Sequence, residues 1–308
     1  MMVLLLGEVN HEEIMINLLQ FYSRIEEYLA TRLPIAVWSH AQRREGAKEA
    51  IDSFLRKFVG SDLKQKLPGV GISWDDQINI APVYSSSSIA LVDLVDGAKE
   101  YVRQGTAVTS HLGIYQRNGK ELGELQLGIV SYPFHRFRII TIGDQVGQPV
   151  YYLPFEFDIL AGPTKEKLEK GLLKKPIIKK DISLFNVVDR YVQYDRNDKY
   201  RSKIDALRSQ VIESGGSYTV TRGSVAKTII DVALGVSDIS ICKHDPEGNK
   251  KIPFHDYLTP SKILHNSGGI FVDLGGEKPN GKNSIDGFIA AATSEIFELF
   301  WRELNGSI

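Results

Sequence analysis

The sequence predicts an α/β protein of stacked helix and sheet layers, and three observations carry that prediction. The chain opens on helical periodicity, with Ile14, Leu18, Phe21, Ile25 and Leu29 at three- and four-residue steps. From residue 70 to 145 it turns to runs of β-branched and aromatic residues. Beyond about residue 185, strand-like and helix-like segments follow one another. Helices and sheets arriving in blocks imply layers, each burying one face on the next. The 308 residues, 43% hydrophobic, suffice for a substantial core in one large or two smaller domains. We expect a division into residues 1–150, a helix pair plus a mostly antiparallel sheet, and residues 151–308, an α/β half. No internal repeat is present.

The elements follow in order. "HEEIMINLLQFYSRIEEYLATRL" (11–33) is an amphipathic helix ended by Pro34. A second helix covers about Glu45 to Val59, with Ala47, Ile51, Phe54, Leu55 and Phe58 on one face and Gly60 as its stop. "SIALVDLV", "AVTSHLGIYQ", "LQLGIVSYP" and "FRIITIGD" are strands, and "RNG" (117–119) is a hairpin turn between two of them. Residues 150–180, with Pro154, Pro163 and Pro176, read as irregular. "LFNVVDRY" is then a strand and "RNDKYRSKIDALRSQVIES" a helix. "GSVAKTIIDVALG" is a helix ended by Gly235, and "VSDISIC" a strand. "LTPSKILHNSGG" is a helix closed by Gly268 and Gly269. "IFVDLGG" and "GFIAAAT" are strands, and "SEIFELFWREL" is a last helix with Ser294 as N-cap.

Composition excludes several classes. A net charge of −1 and a pI near 6.7 give no global electrostatic case for a nucleic-acid polymer as partner. Lys165 to Lys180 holds seven lysines against two glutamates, which reads as a solvated face. Cys242 is the only cysteine, so no internal disulfide forms, and it reads as a small buried apolar residue. No apolar run approaches the roughly 20 residues a membrane span needs. The expectation is a cytoplasmic protein with no membrane partner.

Chemistry points to "ALVDLVDGAKEY" (90–101). An apolar strand runs straight into Asp93 and Asp96, and Gly97 follows. Ionised carboxylates that converge repel, and the natural stabiliser is a hard divalent cation such as Mg2+. Gly97 permits a tight backbone path and leaves amides free to face an anion. "WDD" places Asp75 and Asp76 some 17 residues upstream, and "PFHDYLTPSKI" places Asp256 at a helix start. Separated acids at element boundaries suit a two- or three-metal phosphoester site with metal-activated water.

These residues resemble a family. "VDLVDGAKEYVRQG", "GSVAKTIIDVALGVSDISI" and "HDYLTPSKILHNSGGIFVDLGG" look like the three ordered signature segments of the inositol monophosphatase superfamily. The nearest branch looks like the 3'(2'),5'-bisphosphate nucleotidases (CysQ-like 3'-phosphoadenosine 5'-phosphate phosphatases), whose D-P-L-D-G-T-K-E-[FY] is echoed through Lys99, Glu100 and Tyr101. The resemblance implies a layered α-β-α-β-α sandwich of the sugar phosphatase type. It implies a Mg2+-dependent phosphomonoesterase, with two or three Mg2+ ions, inhibition by Li+, and a small nucleotide, inositol or sugar phosphate ester as substrate. It admits a homodimer. Carried over by position, Asp93, Asp96 and Asp256 match metal-binding aspartates and Val95 a backbone metal ligand. Asp75 and Asp76 compete for the upstream acidic position, and Asp75, Asp93 and Asp96 form the expected catalytic set. Gly97 and Ala98 match phosphate-contacting amides. Gly223, Ser224 and Lys227 match positions near the sugar or nucleoside.

The sequence also departs from the pattern. Ala98 stands where threonine usually orients the attacking water, and "ISWDDQ" replaces a glutamate pair. "VWSHAQRREGAKEAIDSF" lacks the usual N-terminal lysine, aspartate and threonine pattern and carries Arg43, Arg44 and Glu45 instead. His255 and Tyr257 flank Asp256 where tryptophan and a small residue are usual. His255 reads either as a ligand or proton donor or as a neutral packed ring. The alternative function is therefore a catalytically impaired relative that binds a ligand or regulates.

Overall fold

The computed structural model describes residues 11–31, 55–57, 59–74, 86–97, 108–119, 121–154, 185–190, 198–221, 223–243, 251–279 and 284–305. The chain forms two compact units, residues 1–144 with 149–172, and residues 145–148 with 173–308. The basic run at 165–180 and the segment around Arg43, Arg44 and Glu45 lie outside the described residues.

In the first unit α1 (His11–Thr31) buries the predicted stripe of Ile14, Leu18, Phe21, Ile25 and Leu29. Residues 55–57 and 59–66, labelled α2, are helical. Gly60 therefore does not stop this helix. Leu63 and Leu67 carry the apolar face past it, and the end comes at Pro68 and Gly69, whose φ is +79°. Both helices share a core with a six-stranded sheet of spatial order β1-β2-β3-β4-β5-β6: β1 (Val70–Trp74), β2 (Ser88–Asp96), β3 (Thr109–Asn118), β4 (Glu121–Tyr132), β5 (Phe137–Ile142) and β6 (Val150–Pro154). Only β1 and β2 pair in parallel. The expected hairpin is present, with Asn118 opposite Glu121 and Gly119 at φ +64°. Strand β6 corrects the reading of residues 150–154 as irregular. Pro154 fits because β6 is an edge strand, where no ladder donor is lost.

The pleat sorts the side chains. Ala90, Val92 and Leu94 of β2 and Leu112 and Ile114 of β3 join the core shared with α1 and α2. One polar rung crosses that face. Ser110 lies opposite Ser131, and Ser131 opposite Arg138, on β3, β4 and β5. The rung meets α1 through Glu26, which accepts from Arg138 Nε (2.7 Å), from Arg138 Nη2 and from the Ser131 hydroxyl. Arg138 Nη2 also donates to Ser23 Oγ at 2.9 Å. Arg138 and Glu26 are only 1% and 2% exposed, so the pair is a buried one. Burial raises the Glu26 pKa, while the guanidinium and the Ser131 hydroxyl pull it down.

The second unit holds β7 (Asn186–Arg190), α3 (Asp198–Glu213), β8 (Ser217–Val220), α4 (Val225–Ala233), β9 (Ile239–Lys243), α5 (Phe254–Asn266), β10 (Ile270–Asp273), β11 (Gly287–Ala291) and α6 (Ser294–Asn305). Its sheet runs β10-β11-β9-β7-β8, with β7 parallel to both neighbours. Gly235 ends α4 as expected, at φ +71°, with Val236 N–H reaching back to Asp231 O at 2.9 Å. The N-cap of α6 is Thr293 rather than Ser294, because Thr293 Oγ1 accepts from Ile296 N–H at 3.2 Å. Among the described residues no helix is long and apolar enough to cross a membrane.

Candidate active site

Strand β2 is interior, paired on both sides, and all nine of its residues are buried. That explains its apolar lead-in and makes its two acids unusual. Asp93 is 5% exposed and Asp96 7%. In a regular strand, residues three apart point to opposite faces. Here Asp93 pairs with His111 but Asp96 pairs with Thr109, so three steps on β2 match two on β3. This bulge inserts one residue between the acids and returns Asp96 to the face of Asp93. A bulge within the strand thus brings the two acids to one face. Val95 N–H donates to Asp93 Oδ1 at 3.0 Å and fixes that carboxylate. Gly97 then takes φ +88°, a backbone region that a side chain disfavours.

Sequence reasoning missed His111. It lies directly across from Asp93 and is 1% exposed, and its Nε2 has no hydrogen-bond partner. Asp93 Oδ2 is 3.6 Å from that nitrogen, beyond hydrogen-bond reach. Burial drives the His111 pKa down to about 4, against the pull of Asp96. The ring is therefore neutral at pH 7. Its one sequence signal was a lone histidine in an apolar strand, which more often marks ordinary core packing. Ser110, one residue earlier, faces the other side, where Tyr22 of α1 sits. Burial raises the Tyr22 pKa, with opposing weight from the Ser110 hydroxyl and added upward pressure from Glu26 and Asp93.

Strand β1 ends with Trp74 opposite Val92. Asp75, Asp76 and Ala98 lie outside the described residues. Among the described residues no three His, Cys, Asp or Glu side chains already form a metal shell. The residues that are present do fit a divalent cation. Two buried carboxylates share a face, and an orphaned imidazole nitrogen adjoins one of them.

In the second unit, Gly223 takes φ +141° and its carbonyl accepts from Arg190 Nε at 2.9 Å. Arg190 also reaches Cys242 Sγ and Lys243 O, each at 3.4 Å, so Cys242 is the buried residue expected. Ser224 caps α4, its hydroxyl accepting from Lys227 N–H at 2.8 Å. The Lys227 ammonium pairs with Asp231 one turn on. Asp256 sits in the first turn of α5, where the helix dipole favours a carboxylate. His255 is buried, with its ring centroid 4.0 Å from that of Phe254. Tyr257 stacks on Phe271, and burial pushes its pKa up to about 12.

Solved structures share this fold. An inositol monophosphatase II from Staphylococcus aureus MSSA476 matches with TM-score 0.64 at 15% identity, covering 94% of this chain and 93% of that one. The 2'AMP-bound SaIMPase-II matches at 0.61 and 15%, covering 93% of each. The extragenic suppressor protein suhB of Bartonella henselae matches at 0.64 and 13%, covering 93% of this chain and 99% of its own. At these identities the likeness is one of fold. No curated protein sequence matches the chain. The sequence profile of the inositol monophosphatase family, however, matches residues 19–308. The three ordered motifs fall inside that span, and the chain belongs to the inositol monophosphatase family.

Proposed function

We propose that the protein is a metal-dependent phosphomonoesterase acting on a small phosphorylated nucleotide, inositol or sugar, such as 3'-phosphoadenosine 5'-phosphate. The observation that carries this reading is the β2 bulge, which brings two buried carboxylates to one face. Asp93 and Asp96 are the first unit's candidate ligands, with the Val95 carbonyl between them in sequence and Asp75 or Asp76 upstream. Asp256 is the second unit's candidate. A bound divalent cation supplies Lewis acidity toward phosphate oxygens and acidifies water. The chain's own part is to hold the carboxylates in place, through the Val95 amide on Asp93, and to free backbone amides at Gly97 for phosphate. Gly223, Ser224 and Lys227 are the proposed substrate-side positions, acting through backbone and helix end, since the Ser224 hydroxyl and the Lys227 ammonium already have partners. A nucleotide substrate draws support from "AKEY" and from the 2'AMP-bound neighbour. Mg2+ is the proposed metal by family resemblance, with Li+ as inhibitor, and the proposed partners are the phosphate ester and a second copy of the chain.

The test is phosphate release from 3'-phosphoadenosine 5'-phosphate, inositol monophosphate and fructose 1,6-bisphosphate, with divalent metal and with EDTA. Metal-dependent release from at least one supports the reading, and none from any overturns it. Ala98 favours one second reading, a relative with impaired turnover. Under that reading calorimetry detects metal and ligand binding without hydrolysis, and Ala98→Thr raises the rate.

A further inference from the structure

The structure assigns Arg190 a role in substrate recognition: its guanidinium fixes the segment that enters α4, so that Gly223 and Ser224 meet the part of the ester that does not react. This rests on reading Gly223, Ser224 and Lys227 as substrate-side positions, and Arg190 is a positioning residue rather than a catalytic one. Topology gives the first argument. Strand β7 lies between β8 and β9 and is parallel to both. The chain leaves β7 through α3 toward β8, and leaves β9 through α5 toward β10, on the other side of the sheet. The connections therefore diverge between β7 and β9. Open α/β sheets bind ligands beyond the carboxyl ends of their strands at such a point. Arg190 is the last residue of β7, in register with Cys242 next to the end of β9.

The side chain then reaches two ways. Its Nε donates to Gly223 O at 2.9 Å, and its Nη1 lies 3.4 Å from both Lys243 O and Cys242 Sγ. One planar fork thus ties the entry of α4 to the end of β9, which the single nitrogen of a lysine could not match. The preceding residue grips the same segment, since Asp189 O accepts from Thr221 N–H at 2.9 Å. Glycine has the most backbone freedom to lose, so Gly223, at φ +141°, needs an outside hold. The next residue is the Ser224 cap, so fixing the Gly223 carbonyl also aims the first amides of α4. The Arg190 guanidinium is 6% exposed. Burying that charge costs free energy that an apolar side chain of similar bulk would not, so its contacts account for it.

The test compares the wild type, Arg190→Met and Arg190→Lys as full chains with Mg2+, on 3'-phosphoadenosine 5'-phosphate and on inositol monophosphate. The inference predicts that Arg190→Met raises KM roughly tenfold or more while kcat moves less than about threefold, the mark of lost binding to a group that does not react. Arg190→Lys keeps the charge without the fork and recovers only part of the loss. An unchanged KM in folded Arg190→Met, or a larger fall in kcat, overturns the inference, and so does full recovery by lysine. If neither variant folds, the wild type decides alone. Adenosine 5'-monophosphate and myo-inositol, the dephosphorylated products of the two esters, are each added to protein labelled with 15N-arginine. The Arg190 Nε resonance shifts with one of them, and a resonance unmoved by both overturns the assignment. Failure of the parent reading looks different, because the wild type itself then releases no phosphate and the inference falls with it.

Discussion

Replacing Arg138 with Met asks whether the polar rung beneath β3, β4 and β5 holds α1 in place. In the wild type the guanidinium donates to both Glu26 oxygens and to Ser23. Without it, Glu26 keeps the Ser131 hydroxyl but loses its charge partner in a site 2% exposed. If the carboxylate stays ionised and unpaired, the cost is about 3–5 kcal/mol. If it takes up a proton instead, holding an acid of ordinary pKa 4.5 neutral at pH 7 costs roughly 3 kcal/mol, at about 1.4 kcal/mol per unit. The cheaper route wins, so the variant loses roughly 3 kcal/mol at pH 7. The sign of its pH dependence follows. The folded Glu26 then titrates above its unfolded value, so the folded state binds more protons between the two and stability falls as pH rises through that window. The loss therefore shrinks by about 1.4 kcal/mol per unit on acidifying from pH 7 toward pH 5. Urea unfolding of wild type and Arg138→Met at pH 5, 6 and 7 measures this. Glu26→Leu with Arg138→Met, which removes both charges, is expected to recover most of the loss. A loss below about 1 kcal/mol that does not change with pH would refute the reasoning.

Three further predictions concern single residues. Gly97→Ala, forced into φ +88°, costs roughly 1–2 kcal/mol by thermal unfolding and lowers metal-dependent phosphate release more than its stability loss explains. Ser224→Ala removes the α4 cap and costs about 1 kcal/mol, whereas Ser224→Asp, which can still accept from Lys227 N–H, costs less. Burial holds Tyr257 protonated to about pH 12, so its phenolate appears above the ordinary value of 10, and its contribution to stability is lost as pH rises from 10 through 12. An ultraviolet titration of wild type against Tyr257→Phe isolates that step, and an ordinary phenol titration would contradict the buried placement.

The acids were legible in the sequence because an apolar run entering two aspartates and a glycine is chemically odd. How they come together was not. A bulge depends on the register of β3 against β2, and no local pattern on β2 records that register. His111 was hidden for the same reason, since its meaning comes from the residue across the ladder. Long periodic elements such as α1 and α3 were plain, while β1, β6 and β8, no shorter than the legible β10, were hidden because glycine in β1, proline in β6 and exposed polar residues in β8 break the apolar run. Gly60 misled because glycine ends helices often, and here the apolar face of α2 continued past it.

The central claim is that the β2 bulge builds a divalent-cation site from Asp93 and Asp96. Crystals of the full chain grown with Mn2+, measured for anomalous scattering, test it most directly. The account predicts an anomalous peak within bonding distance of both carboxylates, absent in Asp93→Asn. Ordered density for β2 and β3 with no peak at those carboxylates would contradict it.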